Sequence, residues 1–278
     1  LRSLFEKDKN FDEVAVSLIK AGESTGRLDD FFLKLNDMQQ KAADRFSQMT
    51  EDECSVLAEN IVFGLPGAVE KFSMDDVRQH LAEYDNISAQ QLRGNLIAFL
   101  KEVAPVAQAL GLRLCCHPDD PPFPLLGLPR VMSTEEDYRT LINAVDIPAN
   151  GITLCTGSLG ARPDNDLPGM MERLGDRVHF LHLRNVTRES DNMRGSFYEA
   201  EHLKGDTDMV LVLEAALKEE KRRREQGRKD WSIPMRPDHG QDILDDLNRR
   251  AQPGYPSIGR LKGLAELRGI IAALEPRV

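Results

Sequence analysis

The 278-residue sequence has no apolar run approaching the roughly 18 to 20 residues that a membrane-spanning helix needs. No signal-peptide pattern opens it, so a cytoplasmic protein is expected. Basic charge is also short: 36 Lys and Arg stand against 46 Asp and Glu, a formal net charge of −10. That balance argues against a general nucleic-acid binder, which needs a basic face for phosphate, although arginines gathered in one pocket can still hold an anionic small molecule. Cysteine is scarce. Cys54, Cys115, Cys116 and Cys155 follow no disulfide-framework spacing, so reduced thiols are expected, one of them a candidate metal ligand. Internal repeats and low-complexity tracts are absent, and KEEKRRREQGRKD reads as a charged helix end on a solvated face. What remains, 41% hydrophobic and 29% charged residues, is an ordinary globular composition with enough apolar material for a sizeable core.

Residues 1 to about 110 read as helical. FDEVAVSLIKA and LDDFFLKLNDMQQKAADRFSQM carry helical periodicity, and a third segment opens at Thr50 with Glu53 at capping-box spacing. After the LPG break at 65–67, SMDDVRQHLAEY starts on Ser73 with Asp75 and Asp76 in its first turn, favourable against the helix dipole. SAQQLRGNLIAFLKEVAPVAQAL places Leu92, Leu96, Phe99 and Leu100 at helical spacing, and Pro105 is expected to bend or divide it.

From Gly111 the pattern changes to short apolar runs: LRLCCHP (112–118), GITLCTG (151–157), VHFLHLRN (178–185) and SIPMRPDHG (232–240). TEEDYRTLINAV, DLPGMMERLG and DMVLVLEAALKEEKRRREQG lie between them with helical periodicity. Strand and helix alternating at this spacing imply crossover connections and a parallel sheet. With strands this short, a (β/α) barrel whose site lies at the strands' carboxyl ends is the first choice, ahead of a doubly wound sheet. A stretch at 259–269 is at best a fifth strand and reads more like a helix.

The four runs end on His117, Cys155, His182 and the pair Asp238–His239. In a parallel sheet these ends share one rim, and two imidazoles, a thiolate and a carboxylate suit a divalent transition metal such as manganese, iron or zinc. Strand alternation puts His182 on the face of Phe180 and Val178, with His179 turned the other way, so His182 is the ligand candidate. Each residue alone has an ordinary explanation: a hydrogen-bonded histidine, a small buried cysteine, an aspartate that caps the next helix. Four candidate ligands at four equivalent positions, three of them followed closely by Pro or Gly, shift the balance toward a metal site.

Several longer stretches, CHPDDPPFPLLGLPRV (116–131), TLCTGSLGARPDNDL (153–167), HFLHLRN (179–185), SFYEAEHLKGDTDM (196–209), IPMRPDHG (233–240) and PGYPSIGRLKGLAELRG (253–269), resemble mannonate dehydratases. The resemblance runs from about residue 40 to the C-terminus, since KAADRFSQMTEDE and NIVFGLPGAVEKFSMDDVRQHL are similar to that family's helical insertion. It implies an α/β fold, a TIM-type (β/α) barrel of the xylose-isomerase-like kind with a helical insertion. It also implies a hydro-lyase that removes water from D-mannonate to give 2-dehydro-3-deoxy-D-gluconate, with Mn2+ or Fe2+ as Lewis acid. Carried over by motif, the metal ligands are His117, Cys155, His182 and Asp238, and His239 and Tyr255 form the acid/base pair. Arg184, His202 and Arg236 are candidates for gripping the substrate's carboxylate or hydroxyls, and Arg260 or Lys262 for a cation beside Tyr255.

A complete barrel of that family has three further strands ahead of the insertion, and no run in this chain supplies them. An open sheet edge is therefore expected, and with it a homo-oligomer. The expected organisation is a helical N-terminal segment at 1–39, the insertion at 40–110 and the barrel portion with the metal site at 111–278. Residues 11–37, an apolar helix followed by AGESTG and LDDFFLKL, also resemble a short signature of the F-type platform proteins of type II secretion. The expected function is the metal-dependent lyase acting on a sugar acid. The alternatives are a truncated or chimeric relative that no longer catalyses, or a metal-dependent sugar isomerase on the same fold; the HPDDPP, CTGS and RPDHG set favours the lyase.

Overall fold

A computed structural model describes residues 44–63, 73–249, 251 and 254–278. The expected helix at 11–21, most of the one at 28–49 and the LPG break lie outside these. The chain divides into two units, Leu1–Arg78 and Gln79–Val278. In the first, α1 (Glu51–Phe63) begins at the expected capping box: Glu53 N–H donates to Thr50 Oγ1 (3.2 Å) and Thr50 N–H to Glu53 Oε2 (2.8 Å). Ser73 and Asp76 repeat the arrangement at the start of α2 (Met74–Ala82). Two backbone donors that a helix start leaves unpaired are satisfied each time.

In the second unit α3 (Ala89–Ala109) starts on a Ser88–Gln91 capping box and runs unbroken through Pro105, where a bend or break was expected. Proline removes one backbone hydrogen bond, but the turns on either side bury Ala104 and Ala107, and that packing holds the helix together. Of its expected apolar face, Leu100 is buried and Leu92 and Leu96 pack against the core, whereas Phe99 is exposed.

The four apolar runs become β1 (Leu114–Cys116), β2 (Asn150–Cys155), β3 (Val178–Leu183) and, later in the chain, a strand at Met235–Pro237. Between them lie α4 (Glu135–Ala144), α5 (Thr156–Gly160) and α6 (Leu167–Leu174). After β3 come β4 (Asn185–Arg188), β5 (Phe197–Ala200) and α7 (Met209–Glu225), then the strand at Met235–Pro237, which is β6, and finally α8 (Ser257–Leu274). The order of the main sheet is β1-β2-β3-β6, with every pairing parallel. This is the α/β, (β/α)-barrel type of connection, and among the described residues β1 and β6 each pair on one side only. The stretch at 259–269 is helix, part of α8. An antiparallel hairpin, β4–β5, was not expected.

β2 is buried at all six positions, and Ile152, Leu154, Val178, Leu181 and Leu183 form the core with Leu141, Met170, Met171 and Leu213 from the covering helices. Arg223, 1% exposed, ties α7 to the start of β3: Nε donates to Glu219 (2.7 Å), and the guanidinium also donates to the carbonyls of Gly175 and Val178. A buried charge is tolerated there because its donors are matched.

The β2–β3 register slips between Ile152 and Thr153, which pair with Val178 and Phe180, so His179 is the extra residue of a bulge. Its ring fills the space over Gly151, where a Cβ would lie 2.2 Å from it, and Nε2 donates to Pro148 O (2.9 Å). Burial pushes its pKa down to about 4, so the folded protein holds this histidine neutral. The unfolded chain binds the proton near pH 6.5 and the folded chain only near pH 4. His179 therefore contributes stability that is present above pH 6.5 and lost as pH falls toward 4, about 3 kcal/mol in all. His179→Gln should flatten the fall in unfolding free energy across that window, as measured by urea titrations of both proteins at several pH values.

Candidate metal centre

Parallel pairing sets the levels of the candidate ligands. Cys155 pairs with His182, and His182 with Arg236, while Asp238 N–H donates to Leu183 O (3.0 Å) and carries the ladder one residue past β6. His117 follows β1 on the same rim. The outcome is a cluster in which donor atoms of His117, Cys155 and His182 all lie within 4.8 Å of one another. His117 Nε2 is 3.1 Å from His182 Nδ1, and Asp238 Oδ1 is 3.2 Å from His182 Nε2. Three of the expected ligands thus share one cluster, and the fourth, Asp238, lies against the ring nitrogen of His182 that faces away from His117.

Three observations fit a metal ion. His117 Nδ1 lies 2.8 Å from Pro118 O, an acceptor only, so this nitrogen carries the proton and Nε2 is the unprotonated ring nitrogen, turned toward the cluster. His182 Nε2 is buried and makes no hydrogen bond: the Asp238 oxygen is close but off the direction of a ring N–H. His182 Nδ1 lies 3.1 Å from His117 Nε2, within hydrogen-bond reach, so Nε2 is the nitrogen of His182 that remains for an ion. Burial opposes charging His182, yet Asp238 and Cys155 outweigh it and raise its pKa. Burial would lift Asp238, but His182, His239 and Arg184 hold it at about 2, an ionised carboxylate. Cys116 is different: burial, then Asp119 and Cys115, push its thiol up to about 11, so it stays protonated.

Around the cluster, His239 Nδ1 is 2.9 Å from Glu199 Oε1, again near but without an aligned hydrogen bond, and its Nε2 is 3.6 Å from Asp238 Oδ1. Tyr255 meets the His239 ring edge to face, with centroids 5.2 Å apart. The cation beside Tyr255 is Arg260, 5.3 Å from its ring, whereas Lys262 is engaged by Glu201 and Glu266. Arg184 is buried and already matched: Nε and Nη2 grip Glu199 and Nη1 donates to Asp120 (2.6 Å). Gly157 makes room for its stem, since a Cβ there would lie 2.3 Å from it. His202 is buried between Leu183 O (Nε2, 3.0 Å) and Glu266 (Nδ1, 3.8 Å). Arg236 is 47% exposed and approaches Asp238 Oδ1 at 3.4 Å. A shallow pocket opens beside His239, lined by Glu199, Glu201, Gln241, Lys262 and Glu266 among others.

Sequence reasoning missed Asp120, Glu199 and the contacts of Arg260. Asp120 stood in the HPDD motif and Glu199 in SFYEAEH, but neither ends a strand run, which was the signal used.

A parallel (β/α) sheet that gathers nitrogen, sulfur and carboxylate donors at its carboxyl rim defines a protein of the metal-site (β/α) class. Within that class the particular family is given by sequence: the profile of D-mannonate dehydratase (UxuA) matches residues 10–278, and the chain belongs to this family. The match takes in residues 11–37, the stretch with the platform-like spacing. The chain is 58% identical over 236 residues to the mannonate dehydratase of Rhizobium meliloti (strain 1021), covering 85% of this chain and 59% of the relative. It is 52% identical over 261 residues to mannonate dehydratase 1 of Agrobacterium fabrum (strain C58 / ATCC 33970), covering 94% and 63%. The crystal structure of mannonate dehydratase from Streptococcus suis serotype 2 superimposes with a TM-score of 0.65 at 33% identity, over 76% of this chain and 57% of that one. The chain thus spans about three-fifths of the length of these curated relatives.

If Cys155 is a ligand, Cys155→Ala should weaken retention of manganese(II) at least about tenfold, whereas Cys116→Ala should leave it unchanged. Metal content after gel filtration and competition with a chelator read both.

Proposed function

We propose that this chain is a metal-dependent hydro-lyase that removes water from D-mannonate to give 2-dehydro-3-deoxy-D-gluconate. The observation that carries the reading is the convergence of His117, Cys155, His182 and Asp238 with His239 and Tyr255 beside them. The family and the relatives' names support it. His117, Cys155, His182 and Asp238 would hold the ion, manganese(II) or iron(II). Bound there, it would supply a Lewis acid that stabilises charge developing on substrate oxygens.

Dehydration of a sugar acid needs a proton taken from the carbon next to the carboxylate and another given to the hydroxyl leaving from the neighbouring carbon. His239 and Tyr255, whose rings meet edge to face, would make these transfers. Glu199 lies against the Nδ1 side of His239, which leaves Nε2 to face the cluster. Among the residues expected to grip substrate, Arg236 is exposed and can reach a carboxylate, while Arg184 and His202 build the walls through Asp120, Glu199 and Glu266. Hydroxyl groups of the substrate find acceptors in the carboxylate-lined pocket.

The proposal includes a barrel portion at 111–278 preceded by a helical insertion, self-association, and a cytoplasmic setting. All four cysteines are free, as a reducing compartment requires. Among the described residues no helix is long and apolar enough to cross a membrane. No secretion role is assigned to residues 11–37.

Purified chain incubated with D-mannonate and manganese(II) should form the 2-keto-3-deoxy acid, and His239→Asn should lower kcat by about 10²- to 10⁴-fold with metal content kept. A folded, metal-loaded protein that forms no product would leave the non-catalytic relative as the reading.

A further inference from the structure

Arg260 is the fourth residue of α8, and a cation in the first turn of a helix stands against the positive end of the helix dipole. No acidic residue accompanies it in that turn, and among the described residues it makes no ion pair. Local preference therefore disfavours an arginine here, and its contacts have to account for the placement. Nε donates to the backbone carbonyl of Asp238 (3.0 Å), and the guanidinium carbon lies 5.3 Å from the centre of the Tyr255 ring. One guanidinium thus donates to the main chain of a metal-ligand candidate and stands over the ring of Tyr255 within cation–π range.

The surrounding backbone is built for this junction. Gly240 N–H donates to Gly254 O (3.0 Å), and a Cβ on Gly240 would lie 2.7 Å from Arg260 N. A Cβ on Gly259 would lie 2.0 Å from Gln241 O. The turn that carries Asp238 and His239 is therefore pressed, backbone to backbone, on the start of α8. Asp246 accepts from Ile258 N–H (2.9 Å) and Gly259 N–H (2.9 Å), fixing that start from outside the helix.

We propose that Arg260 is a positioning residue: it locks the ring of Tyr255 against His239 by bridging Tyr255 to the main chain of Asp238. The proposal rests on the dehydratase reading for its catalytic consequence, but not for its geometric content. It acts through Tyr255 and makes no claim to touch substrate.

The sequence has four tyrosines, Tyr84, Tyr138, Tyr198 and Tyr255, so ring-labelled tyrosine gives a spectrum in which Tyr255→Phe identifies the wanted signal. On the full chain loaded with zinc(II), which lacks the paramagnetism of manganese(II), we expect a cross-relaxation signal between the Tyr255 and His239 rings. Arg260→Met and Arg260→Gln should each reduce it by more than half and move the Tyr255 ring shifts toward those of free tyrosine. With manganese(II) and D-mannonate, the same variants should lose about 10- to 100-fold in kcat while KM and metal content change less than about twofold. Variants that fold and keep the ring-to-ring signal would overturn the proposal. A wild-type chain that makes no product would sink the dehydratase reading alone, because the ring measurement needs no turnover.

Discussion

Everything at the rim depends on the parallel ladder through β2, β3 and β6. Parallel pairing brings strand ends from distant parts of the chain to a common level, and here the register does so to the residue: Cys155 opposite His182, and Asp238 hydrogen-bonded beside Leu183. The bulge at His179 is part of that setting, because it takes up one residue early in β3 so that the later residues of the strand meet β2 in the observed pairs. A one-residue slip would turn His182 to the other face of the sheet. Buried Asn150 guards against such a slip at the start of β2, because its amide donates to Leu141 O (3.4 Å) and Val145 O (3.0 Å) and would lose both partners.

Charge is arranged in a second layer around this rim. Asp238 is kept ionised by the imidazoles beside it and by Arg184 further off, and Arg184 is itself neutralised by Asp120 and Glu199. Burial alone would lift Glu199, but His239 and Arg184 outweigh it and keep it a carboxylate. Glu199 therefore links the Arg184 pair to His239, and the hairpin β4–β5 that carries it serves the site as directly as the main sheet does.

Much of the fold could be read from the residues. The strands at 114–116, 150–155, 178–183 and 235–237 were legible as short apolar runs, three of them closed by Pro or Gly, and the helices between them by their periodicity. Pro105 does not divide its helix because local preference is outweighed by burial of Ala104 and Ala107, which a sequence does not display. The β4–β5 hairpin was missed for a related reason: Phe197, Tyr198, Glu199 and Ala200 are partly exposed and lack the alternation of a half-buried strand. In the site, strand-end residues could be singled out because topology alone makes them neighbours. Asp120 and Glu199 could not, since their significance lies wholly in tertiary contacts across 64 and 15 residues of chain, and Arg260 was legible as a cation beside Tyr255 but not as a donor to Asp238 O.

The two glycines where the Asp238–Gln241 turn meets α8 leave no side-chain cushion between the pieces. Two backbones in direct contact transmit displacement much as meshed gears do, with little slack for a rotamer change to absorb. The seat of the C-terminal helix and the direction of the His239 turn are therefore set together, by backbone contact and not by any adjustable side chain.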